Sequence, residues 1–368
     1  MTEREIRAAV IIGTRPEAIK LAPVVLELRR RAVPAVVVGT GQHRDLLDDA
    51  LALFGIVPDH DLELMHPDAG LNEVLGRAVE RIGAVLQAAK PTVVIVQGDT
   101  TSALAGALAA FNLRVPVAHV EAGLRSHDLE LPFPEEMHRR VVSLVSRWNF
   151  APTAFAADQL RAEGAGGEIV VTGNTVVDAV RQILGNKPQA IEAASYPVPY
   201  LLATAHRRES WGRPIREIAL GLRDVLRERE ELSLVFATHP NPQARGPVEA
   251  VLGREPRAHL AGPLAYDQFL LLLRGAELAV TDSGGVQEEG PTLGVPVLVT
   301  RTLTERPEGV AAGAVRVVGT TRDTIRTEVS RLLDDPVARS AMAAAGRTVY
   351  GDGHAAERIV DALLRRAG

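Results

Sequence analysis

The chain contains no cysteine. That absence excludes disulfide cross-links, a thiolate nucleophile and any cysteine-ligated metal. Aromatic residues fill only 4% of the 368 positions, so aliphatic side chains must supply the core. No apolar run reaches bilayer-spanning length, and the start MTEREIRAAVIIG lacks the regions of a signal peptide. The expectation is a cytoplasmic protein without a membrane partner. A strong excess of one charge is also lacking. The net charge is −5, so no global basic field favours nucleic acid, and local groups must hold any anionic ligand. Histidines at metal-ligand spacing are absent, and so is HEXXH, which argues against a metal site. Neither a dinucleotide fingerprint nor a P-loop occurs. The nearest match, Gly39-Thr40-Gly41, has Arg44 at the third glycine position.

What is present is an alternation of short β-branched runs and longer helical stretches. Six runs lie in each half: RAAVII, AVVVG, TVVIVQ, VPVAHV, WNFA and EIVVT, then YLLATA, LSLVFAT, RAHLA, LAVTD, VPVLVT and AVRVV. Continuous apolar strands separated by helices indicate parallel sheets covered on both faces. The length suits two or three domains. The reading is α/β, with two doubly wound Rossmann-like domains facing across a cleft. The proline-rich stretch 184–200 marks the linker region, and 354–366 is an amphipathic helix. The domains are set at 1–172, with 354–368 crossing back, and at 173–353.

Open parallel sheets bind ligands beyond the carboxyl ends of their strands, and polar residues cluster there in this sequence. Arg15 and Lys20 of GTRPEAIK start a helix with Pro16 at its first position, where both can reach an anion. Asp99 in QGDTTSALAGALAAF ends a strand, although a helix N-cap would by itself account for it. Glu121 in HVEAGLRS ends the next. Glu135 and Glu136 in LPFPEEMHRR follow two prolines, where a helix's first turn also favours acids. Three carboxylates at one edge of one sheet are harder to explain structurally than any one alone. In the second half, His206, Arg207 and Arg208 of TAHRRES read as a phosphate clamp or a solvated basic turn. His239 in THPNP fits a structural turn better than catalysis. Ser283-Gly284-Gly285 in TDSGGVQEEG form a strand-to-helix turn whose backbone N–H groups suit an anion. Glu288 and Glu289 follow within a turn.

These motifs, with TGNTVVDA, TERPEG and YGDG, together resemble the bacterial non-hydrolysing UDP-N-acetylglucosamine 2-epimerases from about residue 6 to 365. The resemblance implies a glycosyltransferase-B type fold, a homodimer, no cofactor and a role in polysaccharide biosynthesis. It implies interconversion of UDP-N-acetylglucosamine and UDP-N-acetylmannosamine through a 2-acetamidoglucal. Asp99, Glu121 and Glu135 match the family's catalytic carboxylates. Arg15, Lys20 and His206 match residues around the nucleotide-sugar and its diphosphate, and His206 alone of these is also placed among the catalytic candidates. Ser283, Gly284 and Gly285 match the diphosphate loop, Glu289 a ribose contact, Phe269 a uracil neighbour and Arg306 a further contact. Gln42, Arg44, Glu136, Arg207 and His239 match a second, activating substrate site. Asp45 departs from the Gln or Glu usual there. Asp68 and Ala69 stand where activated members carry Arg-Gln, which implies weak or absent substrate activation. A hydrolysing epimerase, a glycosyltransferase on the same fold and a nucleotide-sugar sensor are the alternatives.

Overall fold

The computed structural model describes residues 6–41, 44–64, 69–185 and 196–365, with backbone alone at 44–46. In chain order the elements are β1 (Ala8–Ile12), α1 (Arg15–Arg30), β2 (Ala35–Gly39), α2 (Arg44–Ala52), β3 (His60–Asp61), α3 (Leu71–Ala89) and β4 (Val93–Gln97). Then come α4 (Thr101–Asn112), β5 (Val117–Val120), α5 (Glu135–Val145), β6 (Trp148–Ala151), α6 (Ala154–Ala162), β7 (Glu168–Val171) and α7 (Thr175–Gly185). The next group is β8 (Tyr200–Thr204), α8 (Arg213–Glu228), β9 (Ser233–Ala237), α9 (Pro242–Leu252), β10 (Ala258–Ala261), α10 (Tyr266–Gly275) and β11 (Leu278–Thr281). Finally there are α11 (Val286–Leu293), β12 (Val297–Val299), α12 (Pro307–Ala311), β13 (Val315–Val317), α13 (Arg322–Asp334), α14 (Pro336–Gly346) and α15 (Ala355–Leu364). The chain forms two compact units: residues up to Ile183 with those from Gly351 onward, and Leu184–Tyr350.

In the first unit, seven strands pair in the order β3-β2-β1-β4-β5-β6-β7. Every pairing is parallel, as between Val10 and Ile95. Val93–Gln97 is buried along its whole length, because helices cover both faces of such a sheet. Helix α4 owes its close seat to small residues. A Cβ on Gly106 would come within 3.0 Å of Ile11 and Val96 side-chain atoms. Its start is set by Thr100, whose hydroxyl accepts the Ala103 N–H at 3.0 Å. The strand order reverses between β1 and β4, which makes the loops after these two strands the edge where ligands bind in such sheets.

The second unit repeats the plan with six parallel strands in the order β10-β9-β8-β11-β12-β13. Its reversal lies between β8 and β11. One apolar cluster, with Leu201, Ile218, Leu222 and Phe236, and another, with Leu202, Phe269, Leu273 and Val297, make up its core. The buried Tyr200 hydroxyl donates to the Leu272 carbonyl at 2.8 Å, so the ring is buried without an orphan polar atom.

The α/β class and the two doubly wound Rossmann-like units match the sequence reading, and all twelve expected strands form. The seventh strand of the first sheet, β3, escaped it because two exposed polar residues show no apolar run. The division falls at 183/184 and 350/351 rather than at 172/173 and 353/354. Helix α7 therefore goes with the first unit, and Asp178 supplies the reason. Its carboxylate accepts the N–H groups of Ala355 at 3.2 Å and Ala356 at 2.9 Å, capping α15. Asp178→Ala should lower the stability of the first unit by about 1–2 kcal/mol. Urea unfolding checks the loss, and limited proteolysis should then cut within α15 sooner than in the wild type.

Candidate active site

The carboxyl edge of the first sheet gathers buried charge. Glu121 follows β5 with φ +62°, a left-handed conformation that costs a non-glycine residue free energy. It is nearly buried and meets Lys20 Nζ at 2.5 Å, a buried ion pair. The Gln97 side-chain amide donates to its other oxygen. Removing Lys20 or Glu121 would break this buried ion pair, a costly change in the interior. Gly123, two residues on, has φ +97°, and a Cβ there would lie 2.2 Å from the Ala156 carbonyl oxygen. Only glycine fits that turn.

Asp99 follows β4, and Arg139 of α5 donates to its carboxylate. The Asp99 carbonyl meets His138 Nδ1 at 2.9 Å. Glu135 opens α5, and its Oε2 is buried with no hydrogen-bond partner among the described residues. A buried carboxylate oxygen without a partner costs free energy, which singles Glu135 out from the engaged carboxylates around it. Its neighbour Glu136 is fully buried and fully engaged. It accepts the N–H groups of Ser126 at 3.0 Å and His127 at 3.3 Å, and it pairs with Arg139 and Arg140. Below this edge, His119 Nε2 lies 2.8 Å from the Gly98 carbonyl, with Ser143 Oγ 3.4 Å from Nδ1. Burial pushes the His119 imidazole down to about 4, against the raising effect of the Gly98 contact. The ring is therefore neutral at neutral pH, with its proton on Nε2.

In the second unit one carboxylate joins the two loops at the reversal. Asp282, fully buried after β11, accepts the N–H of His206 at 2.9 Å and that of Arg207 at 2.9 Å, both after β8. His206 Nδ1 lies 3.3 Å from the same carboxylate. Burial lowers the His206 imidazole, and Asp282 opposes the shift. The His239 ring stacks on it with centroids 5.8 Å apart. Ser283 donates its N–H to Thr281 Oγ1 at 2.9 Å, which leaves Gly284 and Gly285 to supply donors ahead of α11. Arg306 packs against Gly284, where a Cβ would sit 2.8 Å from its guanidinium. Its Nε donates to Glu288 at 2.6 Å. Glu289 instead accepts the Tyr266 hydroxyl at 2.9 Å. Glu305 lies 3.2 Å from Arg306, 3.7 Å from Arg301 and 4.0 Å from Arg207. The arrangement offers glycine N–H groups and guanidinium charge to an anion, balanced by buried carboxylates.

Comparison with known proteins decides the family. The UDP-N-acetylglucosamine 2-epimerase family model matches residues 26–364. The chain is 45% identical to a UDP-N-acetylglucosamine 2-epimerase of Escherichia coli K12, over 97% of this chain and 98% of that protein. It is 40% identical to one of Bacillus subtilis, over 99% and 97%. A crystal structure of the Neisseria meningitidis enzyme bound to UDP-N-acetylglucosamine superimposes with a TM-score of 0.93 at 39% identity, covering 98% and 100%.

The chain belongs to the UDP-N-acetylglucosamine 2-epimerase family.

Seen as a member of that family, the first unit places Asp99, Glu121, Lys20 and Glu135 at one sheet edge. Arg15 begins α1 at the same edge, half-buried. The second unit places His206, Arg207, Ser283, Gly284, Gly285 and Arg306 around its own reversal. Phe269 lies in the apolar core beside Leu272 and Leu273. Of the expected activating site, Gln42 and Asp68 lie outside the described residues, as do the Arg44 and Asp45 side chains. Glu136 holds a turn by its backbone, and His239 stacks on His206. The sequence reading gave no role to Gln97, His119, Arg139, Asp282, Arg301 or Glu305. Most of them stand inside or beside the motifs that it did quote, and a polar residue flanked by a buried strand was the available signal.

Neutral His119 gives a pH test. Its contribution to stability is complete above the unfolded value of 6.5 and is lost as pH falls from 6.5 towards 4. The wild type should therefore lose stability across that interval more steeply than His119→Gln, as urea midpoints measured at successive pH values will show.

Proposed function

We propose that this chain catalyses the reversible C2 epimerisation of UDP-N-acetylglucosamine to UDP-N-acetylmannosamine without releasing free sugar. One observation carries the reading. Asp99, Glu121 and Glu135 stand at the carboxyl ends of the adjacent strands β4 and β5 and at the start of α5. Relatives at 40–45% identity over nearly the whole chain are named UDP-N-acetylglucosamine 2-epimerases, which supports the epimerase part of the reading.

The chemistry uses this inventory. No carbonyl flanks C2, so its proton is weakly acidic and must leave as UDP departs from C1. One carboxylate takes the C2 proton while the C1–oxygen bond breaks, and the products are 2-acetamidoglucal and UDP. The diphosphate leaves with its charge met by the Gly284 and Gly285 N–H groups, Arg306 and Arg207. In the return step a UDP oxygen adds to C1, and an acid protonates C2 from the opposite face. Serving both faces requires more than one proton-transfer group, which three carboxylates and His206 can supply. Glu289 springs from one helical turn beyond the glycines, its carboxylate reaches back to within 3.4 Å of where a Gly285 Cβ would sit, and the family resemblance gives it the ribose hydroxyls. The remaining parts of the reading follow the family resemblance: a cytoplasmic homodimer, no cofactor and a product used in polysaccharide biosynthesis.

Incubation with UDP-N-acetylglucosamine in D₂O, followed by NMR at C2, tests the reaction. Deuterated UDP-N-acetylmannosamine is the expected product. Free N-acetylmannosamine with UDP would replace the reading with a hydrolysing one, and unchanged but bound substrate would favour a transferase or sensor. Glu289→Ala should weaken UDP binding about tenfold or more by titration calorimetry, a loss of about 1.4 kcal/mol. Glu288→Ala should act first on stability, since it strips a buried partner from Arg306.

A further inference from the structure

Glu17 is a fully buried carboxyl group in the first turn of α1 to which the reaction assigns no task. Its Oε2 accepts the Gly13 N–H at 3.1 Å and the Thr14 hydroxyl at 2.8 Å. Its Oε1 accepts the Thr100 hydroxyl at 2.8 Å. Thr14 adjoins Arg15, and Thr100 adjoins Asp99. The two oxygens thus join the loops after β1 and β4, where the strand order reverses. Thr100 meanwhile keeps its hydroxyl oxygen on the Ala103 N–H, so the start of α4 is held by the same contact. The loop after β1 has no slack on that side. A Cβ on Gly13 would meet Ser102 Oγ at 2.0 Å. One turn along α1, Lys20 reaches Glu121, so a single helix face is tied to both carboxylate loops.

We infer that Glu17 is a positioning residue, fixing Asp99 relative to Arg15 and the α1 face through its hydrogen bonds to Thr100 and Gly13. The inference rests on the epimerase reading above. A structural role alone needs only a side chain that fills the space, whereas a positioning role needs two polar atoms that hydrogen-bond both loops. Burial raises the Glu17 carboxyl to about 7, against the lowering effect of the Thr100, Thr14 and Gly13 contacts. The clasp survives protonation, because a protonated oxygen can donate to Thr100 Oγ1 while the other keeps Gly13. A glutamine can do the same, and a leucine can do neither.

Steady-state kinetics of the full chain with UDP-N-acetylglucosamine test this. Glu17→Leu should lower kcat by about 10- to 100-fold with KM changed much less, the scale of a small misplacement of a reacting group. Glu17→Gln should recover most of that loss. Should Glu17→Leu fail to fold, Thr100→Val should lower kcat in the same way and Thr100→Ser should restore it. Leucine and glutamine variants with equal kcat, or valine and serine variants with equal kcat, overturn the positioning role while leaving the epimerase reading intact. A wild type without turnover overturns the reading, and the positioning role with it.

Discussion

Parallel pairing imposes the constraint from which the rest of this structure follows. Every strand of a parallel sheet ends on the same edge, so residues far apart in sequence arrive side by side. Asp99 and Glu121 stand at neighbouring strand ends because β4 and β5 pair in register, Gln97 beside Val120. His206 and Asp282 meet because β8 and β11 pair, Thr204 beside Thr281. In both units the order of strands reverses between the first strand and the fourth to be laid down, and the polar groups concentrate at that gap.

Holding charge at such an edge requires compensation, because a carboxylate leaving water loses its hydration. The first unit meets this with cations and amides. Lys20 and Gln97 serve Glu121, Arg139 serves Asp99, and backbone N–H groups with Arg139 and Arg140 serve Glu136. The second unit inverts the problem. It concentrates guanidinium charge from Arg207, Arg301 and Arg306 and tempers it with Glu305 and Glu288. A chain of net charge −5 thereby gathers three guanidinium groups in one place without a basic overall field. Glu288 and Glu289 show how finely the division runs. They are neighbours in sequence, yet one neutralises Arg306 and the other takes the Tyr266 hydroxyl, because adjacent helical residues point about 100° apart.

Much of the fold was legible because it depends on local pattern. Runs such as TVVIVQ and LSLVFAT announce buried parallel strands through β-branched residues without polar interruption. The strand His60–Asp61 carries no such pattern and exists only because β2 offers it an edge. The end of the first unit was misplaced for a related reason. Helix α7 looks like the opening of the second half, but Asp178 ties it to the start of α15 far along the chain, and no local signal reports a bond of that span. Likewise, the motif around Ser283 suggested a row of backbone donors, whereas Thr281 engages the first of them.

The sequence by itself determined the α/β alternation, the positions of the strand ends and the kinds of residue placed there, because these depend on neighbours along the chain. It also carried enough motif to identify the family. Only the tertiary structure decided which carboxylates are paired, which are structural and which are left with an unengaged oxygen. Glu17, Glu121, Glu135 and Glu136 are the same side-chain chemistry in sequence. Their different fates arise from burial and from partners brought by other strands and helices. A charge's environment is set by what packs around it in space, and that is not written beside it in the chain.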